Sequence, residues 1–185
     1  MQLYFREEIF ENLNELEKAE YENCSFRNLD ISNADLSEYK FIDCEFFNSN
    51  LSMAKLNQTL FQNIRFIDSK LLGLNFENCN EFSLSFRFEN CHLNHASFYK
   101  LKIRKTHFSN CQLTQCDFTE TDLKESVFEN SNLDGAVFEF SNLEKVDFRT
   151  AYNLSFDPDK NTIKGARFSK ENVIGLLNKF AIKIE

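Results

Sequence analysis

The chain has 185 residues and a mass of 21.8 kDa, with 22 Phe, no Trp, 4 Gly and 1 Pro, which suits one domain with a sizeable core and argues against a loop-rich enzyme or a disordered linker. Its 29 acids and 21 bases leave a net charge of -8, which excludes general binding to DNA phosphates unless a strong local basic patch exists. No run of about 18 apolar residues offers a membrane span, and the opening Met1-Gln2-Leu3-Tyr4-Phe5-Arg6-Glu7-Glu8 lacks the regions of a signal peptide, so a cytoplasmic protein is expected.

Residues 1–18 carry Leu3, Phe5, Ile9, Phe10, Leu13 and Leu16 off the phase of the later repeat, and are expected to form an irregular N-terminal cap. From Tyr21 every fifth residue is large and apolar: Phe26, Ile31, Leu36, Phe41, Phe46, Leu51, Leu56, Phe61, Phe66, Leu71 and Phe76. The series resumes at Phe88 and runs through Leu93, Phe98, Ile103, Phe108, Leu113, Phe118, Leu123, Phe128, Leu133, Phe138 and Leu143 to Phe148. Two residues before each centre the side chains are mostly small, as at Cys24, Ala34, Ser49, Thr59, Ala96, Thr121 and Ser131. A period of five fits neither the 3.6 of a helix nor the 2 of a strand, so every unit must contain a turn. The centres of the first block repeat as aromatic, aromatic, aliphatic, aliphatic, a period of 20 that describes a square coil of four units. An all-β quadrilateral solenoid over residues 19–151 is the expected fold, with large centres filling the axis and each coil packed on its neighbours.

Phe76 and Phe88 are 12 residues apart, so the two blocks are out of phase and a break is expected at about 77–87. The misfit centres on Asn80-Glu81-Phe82-Ser83-Leu84-Ser85; it reads either as a tolerated bulge or as a small contact loop carrying Glu81, Phe82 and Ser83. Beyond the repeat, residues 152–185 are expected to cap the solenoid. Asp157-Pro158-Asp159 signals a turn, and Ser169 precedes a helical pattern of Val173, Leu176, Leu177 and Phe180 over roughly 170–179, followed by a short strand at Ala181–Ile184. One narrow coil cannot bury all of these, so Val173, Leu176, Leu177, Phe180, Ile182 and Ile184 are expected either to join two copies C-terminus to C-terminus or to fold back as a monomer's cap.

Charge alternates along the rod. Residues 86–105 hold one acid and five bases (Arg87, Lys100, Lys102, Arg104, Lys105), whereas 106–148 hold nine acids and two bases. Asp117, Glu120, Asp122, Glu125, Glu129 and Asp134 in the acidic stretch read either as a solubilising surface or as a partner-binding one. Spacing places Lys145 one coil above Glu125 and Glu144 above Lys124. The six Cys share the small inward phases and lack C-x2-C spacing, so they read as free buried thiols; Cys24/Cys44 and Cys91/Cys111 are one coil apart, which would also permit a disulfide. His92 and His95 fall at outward positions, as does His107. No nucleophile-and-base order and no phosphate loop appears, and an axis full of Phe and Leu leaves no substrate cavity. No enzyme, cofactor, metal or small-molecule substrate is expected.

The triplets Cys24-Ser25-Phe26, Ala34-Asp35-Leu36, Cys44-Glu45-Phe46, Cys116-Asp117-Phe118, Thr121-Asp122-Leu123, Ser131-Asn132-Leu133 and Val146-Asp147-Phe148 resemble the signature of the pentapeptide-repeat family, over about residues 19–151. The resemblance implies a right-handed quadrilateral β-helix. The stretch Leu176–Ile184 is similar to the tail of the Qnr-type quinolone-resistance proteins, which dimerise there, although Ala181 stands where that tail usually has Gly. Glu81-Phe82-Ser83-Leu84 before Phe88-Glu89-Asn90-Cys91 is similar to a stretch of the microcin B immunity protein. These likenesses imply mimicry of DNA toward a type II topoisomerase, DNA gyrase or topoisomerase IV, with protection against quinolones or a gyrase-targeting toxin, by a homodimer that touches neither nucleic acid nor membrane. The two longer projecting loops of the enterobacterial Qnr proteins are missing, which leaves plain gyrase inhibition open. The alternative is a rigid scaffold or immunity factor with a non-topoisomerase partner.

Overall fold

A computed structural model describes residues 3–183, wound as a β-solenoid whose strands pair in parallel from coil to coil. Strands β1 (Leu3–Arg6), β3 (Ala19–Glu22), β5 (Lys40–Ile42) and β7 (Leu60–Gln62) form one sheet, in the order β1-β3-β5-β7. Strands β2 (Ile9–Glu11), β4 (Ser25–Arg27), β6 (Glu45–Phe47), β8 (Ile64–Ile67), β9 (Phe86–Glu89), β10 (His107–Ser109) and β11 (Val127–Glu129) follow one another in the second. These sheets are faces one and two. Faces three and four, centred on Ile31 and Leu36 in the first full coil, are held by single parallel bridges such as Asp30↔Asn50 and Asp35↔Lys55. Partners in adjacent coils keep the period of 20, with Phe41 opposite Phe61 and Phe46 opposite Phe66.

Most corners are turned by one residue in the left-handed region, two positions after the centre: Asn23 (φ 52), Asn28 (φ 53), Asn33 (φ 59), Glu38 (φ 65) and Asp43 (φ 53) begin a series that recurs along the rod, except after Phe76 and Phe148. Asn and Asp tolerate this conformation better than most residues, which accounts for their frequency there. The small inward residues do more than leave room. Their hydroxyls and thiols donate to the carbonyl of a centre one coil back: Thr59 to Leu36 (2.7 Å), Thr121 to Phe98 (2.8 Å), Ser141 to Phe118 (2.7 Å) and Cys116 to Leu93 (3.0 Å). A buried polar atom is thereby satisfied while neighbouring coils are tied together.

The axis is a pile of rings. On face two Phe10, Phe26, Phe46, Phe66, Phe88, Phe108, Phe128, Phe148 and Phe168 stack in one column, at centroid separations from 4.6 to 5.5 Å. A second aromatic column changes face. Phe5, Tyr21, Phe41 and Phe61 stack on face one, whereas Phe76, Phe98, Phe118 and Phe138 stack on face four. Phe86 joins the two, edge-on to Phe61 at 5.8 Å and to Phe76 at 5.1 Å.

That change of column coincides with the phase break. The register there is 22, with Ile64 opposite Phe86 and Arg65 opposite Arg87. The two extra residues leave face one as a loop at 80–85. Glu81 stands exposed where the period calls for a centre, and Leu84 and Phe86 turn inward to fill the space. Phe86 stands at a position that is mostly small elsewhere, and its ring fills the space beside the vacant centre.

The two ends differ from the sequence expectations. Residues 3–11 are not irregular, whereas 12–18 carry no strand: β1 and β2 pair with β3 and β4, with Phe5 opposite Tyr21 and Phe10 opposite Phe26. The register of this first coil is 16, so a count by twenties misses it. At the far end a short 3-10 helix spans Val173–Phe180, entered through reciprocal bonds between Ser169 and Asn172 (Asn172 N to Ser169 Oγ, 3.1 Å; Ser169 N to Asn172 Oδ1, 3.0 Å). The expected strand does not form over 181–183. Ala181 adopts φ 49 and ψ 33, and its N–H donates to the Asn178 carbonyl, so it ends the helix as a left-handed cap. Ile184 lies outside the described residues.

Phe118 is fully buried, with Phe98 and Phe138 stacked on it at 5.1 and 5.0 Å, while Glu120 points to solvent. Phe118→Ala is expected to cost roughly 3–5 kcal/mol and Glu120→Ala less than about 0.5 kcal/mol in chemical denaturation. Coincident midpoints for the two variants would contradict a ring-filled axis.

Candidate functional site

The six acids singled out in sequence encircle the rod rather than forming one patch. Asp117 precedes Phe118 on face four, Glu120 (φ 55) turns the next corner, and Asp122 precedes Leu123 on face one. Glu125 (φ 62) turns the corner after that; Glu129 follows Phe128 on face two and Asp134 follows Leu133 on face three.

Half of them are partnered by bases on adjacent coils. Arg104 Nη2 lies 2.6 Å from Asp122, Lys100 Nζ 3.6 Å from Glu120, and Lys105 and Lys145 lie 3.8 and 3.6 Å from Glu125. Further pairs are Lys124–Glu144 at 2.9 Å and Lys160–Glu139 at 2.7 Å. The Lys124 ammonium holds the Glu144 carboxyl below the ordinary carboxylate range. Two of these pairs, Lys124–Glu144 and Lys145–Glu125, are the ones the coil period anticipates; the bases of 86–105 are the larger contribution, and the same period could have revealed them. Asp117, Glu129 and Asp134 have no ion pair among the described residues. Asp117 accepts the Thr119 N–H at 2.8 Å and Glu129 the Ser109 hydroxyl at 2.9 Å. The uncompensated charge therefore sits on faces two, three and four.

The loop at 80–85 is built, not loose. Phe82 N donates to Asn80 Oδ1 at 2.9 Å, Ser83 takes φ 55, and Leu84 bridges back antiparallel to Gln62. The result holds Phe82 71% exposed, with Glu81 beside it. An exposed phenyl on a hydrogen-bonded loop has the form of an interface anchor.

At the C-terminal end the helix lies directly on the last coil. A Cβ on Gly175 would stand 1.7 Å from the Leu154 carbonyl oxygen, so only glycine permits the approach. Leu176 is 7% exposed and serves the chain's own core, whereas Val173, Leu177 and Phe180 are exposed around a groove of about 400 Å³ lined also by Pro158 and Ile163, and Ile182 is exposed beyond the helix. Phe140, which sequence reasoning missed, is exposed at a corner with φ 56, where a bulky side chain is out of place; a Phe in the corner phase was the available signal. Its N–H donates to Lys160 O, within a coil of this end.

The six Cys are free and buried, and burial pushes the thiols of Cys44 and Cys116 up to about 12. His92 sits in a face-three ladder between Lys70 and Gln112, and His95 turns a corner at φ 61. Among the described residues no group of three or more His, Cys, Asp or Glu converges to hold a metal ion, and no helix is long and apolar enough to cross a membrane.

Lys179 fastens the helix to the coil below through Asp157 Oδ1 at 2.7 Å and through Asp159, and its ammonium holds the Asp157 carboxyl below its ordinary value. Because the folded value is depressed, this fastening is complete above the ordinary carboxylate pKa of about 3.9 and is lost as pH falls through the folded value. Amide protection factors over 173–180 are expected to hold from neutral pH to about 5 and to fall below about 4. Lys179→Met should remove that acid step and leave protection in β10 unchanged.

No curated protein sequence matches the chain. Among solved structures it is similar along its whole length to a trypsin-treated form of QnrB1, a plasmid-mediated fluoroquinolone resistance protein, at 18% identity and TM-score 0.64, covering 100% of this chain and 98% of that one. A second trypsin-treated form of QnrB1 gives 19% identity and TM-score 0.54 with both chains fully covered. HetL, from the cyanobacterium Nostoc, gives 15% identity and TM-score 0.41 over 90% of this chain and 87% of that one. The family model described as "Pentapeptide repeat region" matches residues 14–85 and 84–154, two segments that meet at the face-one loop. With the five-residue period, the left-handed corners and a family match over most of its length, the chain belongs to the pentapeptide-repeat family.

Proposed function

We propose that this protein is a non-enzymatic, cytoplasmic binding protein with a Qnr-like role. It docks on a type II topoisomerase, DNA gyrase or topoisomerase IV, in place of DNA, and modulates the enzyme or protects it from quinolones or a gyrase-targeting toxin. The observation that carries this reading is the full-length likeness in fold to QnrB1, of a rod that bears a net charge of -8. Mimicry works through the summed field of the rod, to which Asp117, Glu129 and Asp134 contribute most freely because no base neutralises them. Phe82 and its neighbours Glu81 and Ser83 supply a contact on face one. Two copies join through Val173, Leu177, Phe180 and Ile182, which a lone protomer leaves in water.

A second reading, a rigid scaffold or immunity factor for a non-topoisomerase partner, is favoured by the ion-pair ladder, which cancels much of the charge at Glu120, Asp122 and Glu125. Salt separates the two. Supercoiling by purified gyrase, with and without a quinolone, is expected to respond to the protein, with an affinity that falls steeply with ionic strength. The combined variant Asp117→Asn, Glu129→Gln, Asp134→Asn keeps the hydrogen-bonding shapes and should slow association roughly three- to tenfold. No effect of the parent on either topoisomerase would decide for the second reading.

Dimerisation has its own test. Gly175→Ala forces the helix off Leu154 and displaces the apolar ring with it, so sedimentation should move from dimer toward monomer at micromolar concentration while the solenoid stays folded. A parent that sediments as a monomer there would refute the dimer.

A further inference from the structure

The two ends of the rod are finished differently. At the C-terminal end the helix covers the last coil, and the amide side chain of Asn172 donates to the carbonyls of Phe148 and Ala151. At the N-terminal end nothing among the described residues covers the first coil. β1 and β2 are the outermost strands of their sheets, and each pairs on one side alone. Phe5 and Phe10 stack inward on Tyr21 and Phe26, and with Leu13 and Leu16 they line an open groove of about 400 Å³. Leu3, Tyr4 and Ile9 are exposed beside it, Ile9 at 60%.

An open sheet edge over an apolar groove is a template for an added strand. The charge around it selects the occupant. Glu8, Glu15 and Glu17 surround the end without an ion pair among the described residues, and Glu15 and Glu17 line the groove itself. Arg6 and Arg27 are already engaged, by Glu7 and Glu22 and by Glu11.

We propose that the N-terminal end of the solenoid is a docking site for an extended, cationic segment of another protein, which adds as a strand along β1 and β2. Its apolar side chains follow the solenoid's own spacing, two apart on each face and three apart across the corner at Glu7, so that they enter the groove over Phe5 and Phe10, and its Lys or Arg residues meet Glu8, Glu15 and Glu17. A second copy is a poor occupant by either end. Two N-terminal ends would bring like charges together, and the C-terminal end offers a helix rather than a strand edge. An anionic membrane surface is repelled by the same acids.

The experiment uses the full chain and the blocked nine-residue peptide Lys-Val-Lys-Val-Lys-Asn-Val-Lys-Val, whose Asn takes the corner. Hydrogen exchange is expected to slow at the amides of 3–11, with binding weakened at least tenfold by Glu8→Gln, Glu15→Gln and Glu17→Gln together, three exposed changes that leave the ring columns intact. A peptide with Glu in place of Lys, or with the Val residues N-methylated so that the added strand cannot donate, should not protect these amides. Binding without protection of 3–11, or protection that is indifferent to the three Gln changes, overturns the proposal. So does concentration-dependent protection of the same amides in the absence of peptide, which would assign the end to self-association.

Discussion

The structure depends on a coincidence of two lengths. Parallel strands stack at about 4.8 Å, and aromatic rings lie flat on one another at nearly the same distance. On face two the separations run from 4.6 to 5.5 Å over the whole column, so the backbone ladder and the ring pile impose one rise and neither strains the other. One centre per face per coil fixes the period within each block, as the pairing of Phe41 with Phe61 and of Phe46 with Phe66 shows. Much of the outside inherits that period, including the pairs Lys100–Glu120, Lys124–Glu144 and Lys145–Glu125. Surface electrostatics here is a projection of the core, since charged residues meet because the side chains beneath them do.

The same constraint explains the loop. Two additional residues cannot be absorbed by a column that admits one centre per coil, so they are expelled on a single face, and the core repairs itself around the gap. Phe86 makes the repair, bridging the aromatic column of face one to that of face four. The loop is therefore rooted over the ring of Phe86, and the Phe82 N–H bonded back to Asn80 keeps the segment short with Phe82 exposed.

Much of this was legible in the residues. A period of five with large centres gives the coil, the small positions give the inward phase, and Ser169 marks the helix entry. What escaped did so for physical reasons. The first coil is shorter than the rest, pairing Phe5 with Tyr21 and Phe10 with Phe26, and a phase count cannot see a shortened side. Ala181 turns left-handed and stops the chain where an alternating pattern suggests a strand. The donor role of Thr59, Thr121 and Ser141 depends on which carbonyl lies one coil below, which smallness alone does not reveal. The candidate acids were recognised as outward, but their distribution around four faces follows from counting corners, and their neutralisation from side chains long enough to reach the next coil.

Because the register within each block admits only whole coils, each block can change its length only in quanta. A segment of one full coil could be gained or lost within either block while every centre kept its place in a column, whereas any other increment must be ejected as a loop, as at 80–85. The rod is in that sense a graduated scale. The span between the acidic open end and the helix-covered end is set by an integer, and the loop marks a fixed graduation along it, so a partner that touches more than one of these features measures the chain as well as binding it.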